Sequence, residues 1–161
     1  MIFGASATHA LRALAHLAAN EGEEATLGRD LARKVHVPSH YLAKVLATLA
    51  RAGVLTASRG ARGGYRLARR ADEIALIEIV EPFEGKRVRP GCLLLPDHPC
   101  RDDGACSAHA VWGEMKTAYL NFLEKTTLAD IQGGAMPVPG AAARTGTRRR
   151  VSRQTRRKRT P

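Results

Sequence analysis

V-P-S-H-Y-L-A-K-V-L-A-T-L-A-R-A-G-V-L, residues 37–55, is a helix with both ends written into it. Pro38 and Ser39 open it, since proline carries the φ of a first helical turn and has no N–H to lose there, and Gly53 stands where a C-terminal cap belongs. Between them Tyr41, Leu42, Val45, Leu46 and Leu49 recur at the three- and four-residue steps of one helical face. Val54 and the residues after it leave that period.

Working outward, Val35, His36 and Val37 form a turn just before this helix, and a second helix precedes the turn, capped by Thr26 and running through Leu27, Leu31 and Ala32 to Lys34. Two helices joined so tightly predict a helix-turn-helix. A further helix over Ser6–Asn20, with Leu11, Leu14, Ala15, Leu17 and Ala18 on its apolar side and Ser6 or Thr8 as its cap, comes first. A polar turn over Glu21–Ala25 separates the two. On the other side, Val54–Ser58 reads as a strand, Arg59–Gly63 as a glycine-rich turn and Gly64–Ala68 as a returning strand. That hairpin is a wing: its glycines reach backbone conformations other residues disfavour, while Arg59, Arg62 and Arg66 supply charge. Basic hairpins are common on surfaces, and it is the preceding helix-turn-helix that makes this one a candidate for nucleic acid.

The charge distribution agrees. The chain has 161 residues and a formal charge of +11, but residues 29–70 carry ten Lys or Arg against Asp30 alone, whereas residues 71–131 carry six against eleven acids. A basic block inside a folded domain is the expected footprint of phosphate contacts. With aromatic content of only 4%, closely packed small helices are favoured over a sandwich or barrel. No run of about 18 apolar residues and no charged leader with a cleavage site is present, so neither a membrane span nor a signal peptide is expected, and the expected compartment is the cytoplasm.

All three cysteines fall in C-L-L-L-P-D-H-P-C-R-D-D-G-A-C-S-A-H, residues 92–109. Pro96, Pro99 and Gly104 make this stretch a loop, and Cys92, Cys100, Cys106 and His109 bring four soft or borderline donors within reach of one centre. Such a set suits an iron-sulfur cluster or zinc. Idle thiols, a disulfide pair with one thiol left over, or a thiol switch are the alternatives. Before the loop, a short helix starts at Ala71 or Asp72, with Ile74, Ile77, Ile79 and Val80 apolar, and Pro82 should kink or end it. After it, a longer helix runs over Ser107–Lys125. Its Val111, Met115, Ala118 and Phe122, with Trp112 and Tyr119 alongside, form a heptad-like seam suited to pairing with a second copy. Thr127–Gln132 adds a last helical turn.

The expected organisation is therefore a winged helix-turn-helix domain over 1–70, a short helix, cysteine loop and dimerisation helix over 71–131, and a disordered basic tail over 132–161, with nine Lys or Arg and no acid. The fold class is mainly α with one small β-hairpin. No C-x-x-C pair and no Ser, His and acid constellation suggests catalysis, and an electron carrier would leave the wing unexplained.

With these residues in hand, the chain resembles the Rrf-two family of bacterial winged-helix transcriptional regulators, and within it the iron-sulfur type of IscR and NsrR. The stretches that carry the resemblance are H-A-L-R-A-L-A-H-L-A in the first helix, residues 37–55, R-G-A-R-G-G-Y-R-L-A-R in the wing, and the cysteine loop followed by H-A-V-W. The resemblance implies a homodimer that binds a palindromic operator in double-stranded DNA and changes affinity with the state of a 2Fe-2S or 4Fe-4S cluster or another signal. It matches Cys92, Cys100 and Cys106 to the cysteine ligands, with His109 two residues beyond. Ser39, His40, Tyr41 and Lys44 match the DNA-reading helix, and Arg59, Arg62, Gly63, Gly64 and Tyr65 the wing. Two departures stand out: the first cysteine gap is seven residues where IscR-like members have five, and Ala43 replaces a Glu that many members carry. NsrR-like members can take a ligand from the partner's first helix, where this chain has Thr8 and His9.

Overall fold

The computed structural model describes residues 3–20, 25–60, 63–89, 91–95, 98–99, 101–103 and 105–132. Arg62, Cys100, residues 21–24 of the turn predicted over Glu21–Ala25 and residues 133–161 of the tail predicted over 132–161 lie outside them. The elements run α1 (Ala5–Ala19), α2 (Gly28–Lys34), α3 (Ser39–Arg51), β1 (Leu55–Ser58), β2 (Gly64–Leu67), a 3-10 turn (Ala71–Glu73), α4 (Leu76–Glu84), a second 3-10 turn (Gly85–Val88), α5 (His109–Lys125) and α6 (Leu128–Ile131). The class is mainly helical with one antiparallel hairpin. Among the described residues no helix is long and apolar enough to cross a membrane.

α1 is the helix the others gather on. Ala7, Ala10, Ala13, Leu14, Ala15, Leu17 and Ala18 are all buried, and so many short side chains let α4, α3 and α6 approach its backbone closely. The single core cluster holds Leu14, Leu31, Leu42, Leu46, Leu49, Ile74, Ile79, Leu123 and Leu128 and has members on every helix, so α4–α6 and the helix-turn-helix share one apolar interior.

Two predicted caps are not made. α1 follows Gly4 with no side-chain cap; Thr8 instead donates its hydroxyl to the Gly4 carbonyl at 3.0 Å, and the Ser6 hydroxyl turns to α3. α2 follows Leu27, because Thr26 is used by its backbone: its N–H and C=O pair with Tyr65 at 3.1 and 2.9 Å, adding a short third rung to the wing. The wing register sets Leu55 opposite Leu67 and Ser58 opposite Gly64. Pro82 does not end α4, which runs on to Glu84 before Gly85, at φ 55°, closes it. A proline this near the end removes a single backbone bond, and the buried Ile79 and Val80 hold the helix to the core.

The last turn is tied down twice. Asp130 accepts from both the N–H and the hydroxyl of Thr127, each at 2.8 Å, and the chain around Thr127 pairs with residues 74–76. Those bonds, Leu76 N–H to Thr126 O at 2.9 Å and Leu128 N–H to Ile74 O at 2.8 Å, fix the end of α5 against the start of α4.

Candidate DNA-binding surface and cysteine loop

α3 divides cleanly. Leu42, Val45, Leu46 and Leu49 are buried, and Ser39, His40, Ala43, Lys44, Ala47 and Arg51 are exposed. Of the four residues expected to read DNA from this helix, Ser39, His40 and Lys44 stand on the outer face. Tyr41 is half-buried, its hydroxyl 2.7 Å from that of Ser6 and its ring edge-on to His9.

In the wing, Arg59 and Arg66 are exposed, whereas the glycines are needed for closeness. A Cβ on Gly63 would lie 2.5 Å from the Ser58 carbonyl oxygen, and one on Gly64 would lie 2.6 Å from that of Thr26. Tyr65 is half-buried and packs on α2, where a Cβ at Gly28 would sit 3.2 Å from its ring. Thus Gly63, Gly64 and Tyr65 build and anchor the wing, and the arginines present charge from it. Arg69, just past β2, is paired with Glu78 at 2.5 Å, joining the wing to α4.

The cysteine loop is folded on itself and held at both ends. Cys92 donates its N–H to His98 O at 2.8 Å, His109 donates its N–H to Cys106 O at 3.0 Å, and the Trp112 indole donates to Gly91 O at 2.8 Å. Cys92, His98, Cys106 and His109, with Leu94, Leu95 and Asp103, line one cavity of about 330 Å³. The thiols of Cys92 and Cys106 are half-buried and not joined by a disulfide. His109 Nε2 lies 2.8 Å from Asp102 Oδ1, a pairing not foreseen from the sequence although Asp102 stands among the ligand candidates. A carboxylate on one ring nitrogen is the usual orienting contact for a histidine that ligates through the other. Among the described residues no three His, Cys, Asp or Glu side chains form a metal-binding set. The third cysteine of the predicted set, Cys100, is outside them.

Arg89 holds the loop's approach. Its guanidinium is 3.3 Å from Glu124 on α5 and 3.6 Å from Glu81 on α4. On α5, Leu123 is completely buried, yet Val111, Met115 and Phe122 are 70%, 54% and 51% exposed, so the predicted seam faces outward.

A family model described as an iron-dependent transcriptional regulator, Rrf2, matches residues 4–133. A protein of Aquifex aeolicus assigned as an HTH-type transcriptional regulator is 35% identical over 133 residues, covering 81% of this chain and 91% of that one. The HTH-type transcriptional regulator NsrR of Geobacillus kaustophilus is 32% identical over 123 residues, covering 76% and 84%. Among solved structures, CymR, the global cysteine regulator of B. subtilis, superposes with a TM-score of 0.70 at 26% identity, covering 81% and 95%. IscR of T. potens superposes with a TM-score of 0.63 at 27% identity, covering 79% and 82%.

Proposed function

The chain belongs to the Rrf2 family of winged-helix transcriptional regulators, and on that premise we propose that it is a homodimeric operator-binding regulator whose DNA affinity is set by an iron-sulfur cluster in the loop from Cys92 to His109. The observation that carries the reading is the cavity where Cys92 and Cys106, fourteen positions apart in sequence, line one space with an Asp102-paired His109. Soft thiols beside an oriented imidazole fit such a cluster. Cys92, Cys100 and Cys106 would hold it, with His109 as the fourth ligand, and when bound it supplies a centre that responds to oxidants, nitric oxide or iron supply.

The rest follows from this chain's own packing. The cavity is bounded by the start of the loop, which Arg89 links to α4 and α5, and by the first residue of α5. α4 packs on α1 and α3, so a change in the loop is felt at the reading helix. If the outward α5 seams of two copies pair, the same change alters the distance between the two α3 helices. Half-sites about one helical turn, roughly 34 Å, apart tolerate little error in that distance. Differential binding of the two loop states by about 1 to 3 kcal/mol changes operator affinity roughly 5- to 150-fold.

The deciding experiment compares operator affinity, at one salt concentration, of anaerobically purified protein, cluster-free protein, Cys100→Ala and Cys106→Ala. The purified protein is expected to be brown and to differ from the other three, which bind alike. Four equal affinities remove the sensing role, and colourless, zinc-containing protein removes the cluster.

A further inference from the structure

The turn between α2 and α3 holds a second feature, apart from the wing and next to the N-terminal end of the reading helix. Arg29, Ala32, Arg33, His36, Val37, Pro38 and Ser39 line an open cavity of about 510 Å³. The lining contains two guanidiniums, an imidazole and a hydroxyl, and no carboxylate. Asp30, which is not among the lining residues, is held by Arg33 at 2.5 Å and reached by Arg29 at 4.0 Å, so Arg29 makes the looser of the two ion pairs with Asp30.

His36 is the residue that makes this cavity more than a basic surface. Val35 and Val37, 1% and 6% exposed, both turn into the core, and the residue between them must reverse the chain. It does so at φ 54°, the only positive φ of a non-glycine residue among those described. Helix-turn-helix turns commonly place glycine at such a point, since it meets no steric penalty there. Here an exposed imidazole occupies the left-handed region, where non-glycine residues are uncommon and cluster at functional sites. Ser39, on the same rim, is the first residue of α3.

We propose that this cavity is a docking site for one phosphodiester group of the operator backbone, bound by Arg29, His36 and Ser39, and that it fixes the register of α3 on the duplex without reading bases. The inference rests on the regulator reading and joins Arg29 and His36, which belong to neither the helix face nor the wing, to Ser39 at the start of α3. Phosphate contacts position a protein on DNA; base contacts specify.

The test uses the full chain and a duplex from the gene's own upstream region, with single neutral methylphosphonate linkages placed in turn along each half-site. Arg29→Ala and His36→Gly are each expected to weaken operator binding about tenfold for each half-site, as loss of a hydrogen bond to a charged group does. Arg29→Ala should lower the slope of log affinity against log salt by about 0.9 for each half-site, about 1.8 for the dimer. The ratio of operator to mismatched-site affinity should stay at the wild-type value for both. One methylphosphonate per half-site should cost the wild type about tenfold for each half-site and cost Arg29→Ala nothing further. Because glycine accepts the positive φ, His36→Gly should remain folded by circular dichroism, and Arg29→Ala gives the same reading without touching the turn. The site is overturned if the wild type prefers its operator and Lys44→Ala weakens it, yet both cavity variants bind as wild type at every methylphosphonate position. A wild type with no operator preference overturns the regulator reading itself.

Discussion

The hydroxyl of Ser6 on α1 and the phenol of Tyr41 on α3 meet at 2.7 Å, so the helix proposed to face DNA is joined to the central helix by a polar bond as well as by its apolar stripe. Tyr41→Phe removes one partner and leaves the half-buried Ser6 hydroxyl without it. We expect a loss of about 1 kcal/mol in urea unfolding with operator affinity within about twofold of wild type. A tenfold loss of affinity at unchanged stability would place the phenol on DNA instead.

His9 packs edge-on against the same ring, with centroids 5.6 Å apart, and its buried Nδ1 has no hydrogen-bond partner among the described residues. Burial, and secondly the Arg12 charge, holds its pKa below the ordinary 6.5. The folded imidazole therefore stays neutral where the unfolded one takes a proton. Below about pH 6.5 the unfolded state binds more protons, so His9 subtracts stability as pH falls toward its lowered folded value, and subtracts nothing above that window. His9→Phe should flatten the fall in melting temperature between pH 7 and pH 5. An unchanged pH profile would show that the ring is solvated in the native state.

Gly63 has no room for a methyl group, since a Cβ would meet the Ser58 carbonyl oxygen at 2.5 Å. Gly63→Ala should distort the wing and cost about 1 to 3 kcal/mol, the usual range for overpacking. The helical core remains folded because the strands contribute little to it. Far-UV circular dichroism close to wild type together with at least tenfold weaker operator binding is the expected pair of results.

Leu123 and Met115 lie on the same helix with opposite surroundings, one completely buried and the other 54% exposed. Leu123→Ala should destabilise by about 2 to 5 kcal/mol through the cavity it leaves. Met115→Glu should leave the stability of the single subunit unchanged and abolish pairing, read as a shift to monomer in sedimentation velocity. A dimer that survives both Met115→Glu and Val111→Glu would mean that subunits join by another face.

Much of the fold was legible in the sequence because it is set by near neighbours. Pro38, Gly53 and the apolar stripe between them delimit α3 to within a residue at either end, and the glycine-rich turn after Arg59 specifies a hairpin, since both depend on local backbone preference and on which side chains share a face. The seam of α5 was legible for the same reason. Tertiary structure decided what each polar group does, because a hydroxyl or carboxylate is satisfied by whatever the fold brings within 3 Å. So Thr26 pairs with Tyr65 across 39 positions rather than capping α2, and Ser6 turns to Tyr41 rather than capping α1. Asp102 orients His109, which the ligand spacing alone did not indicate. The conformation of His36 is likewise settled by packing: the valines on either side of it are both buried, and only the assembled turn brings the imidazole and Arg29 to one cavity at the start of α3.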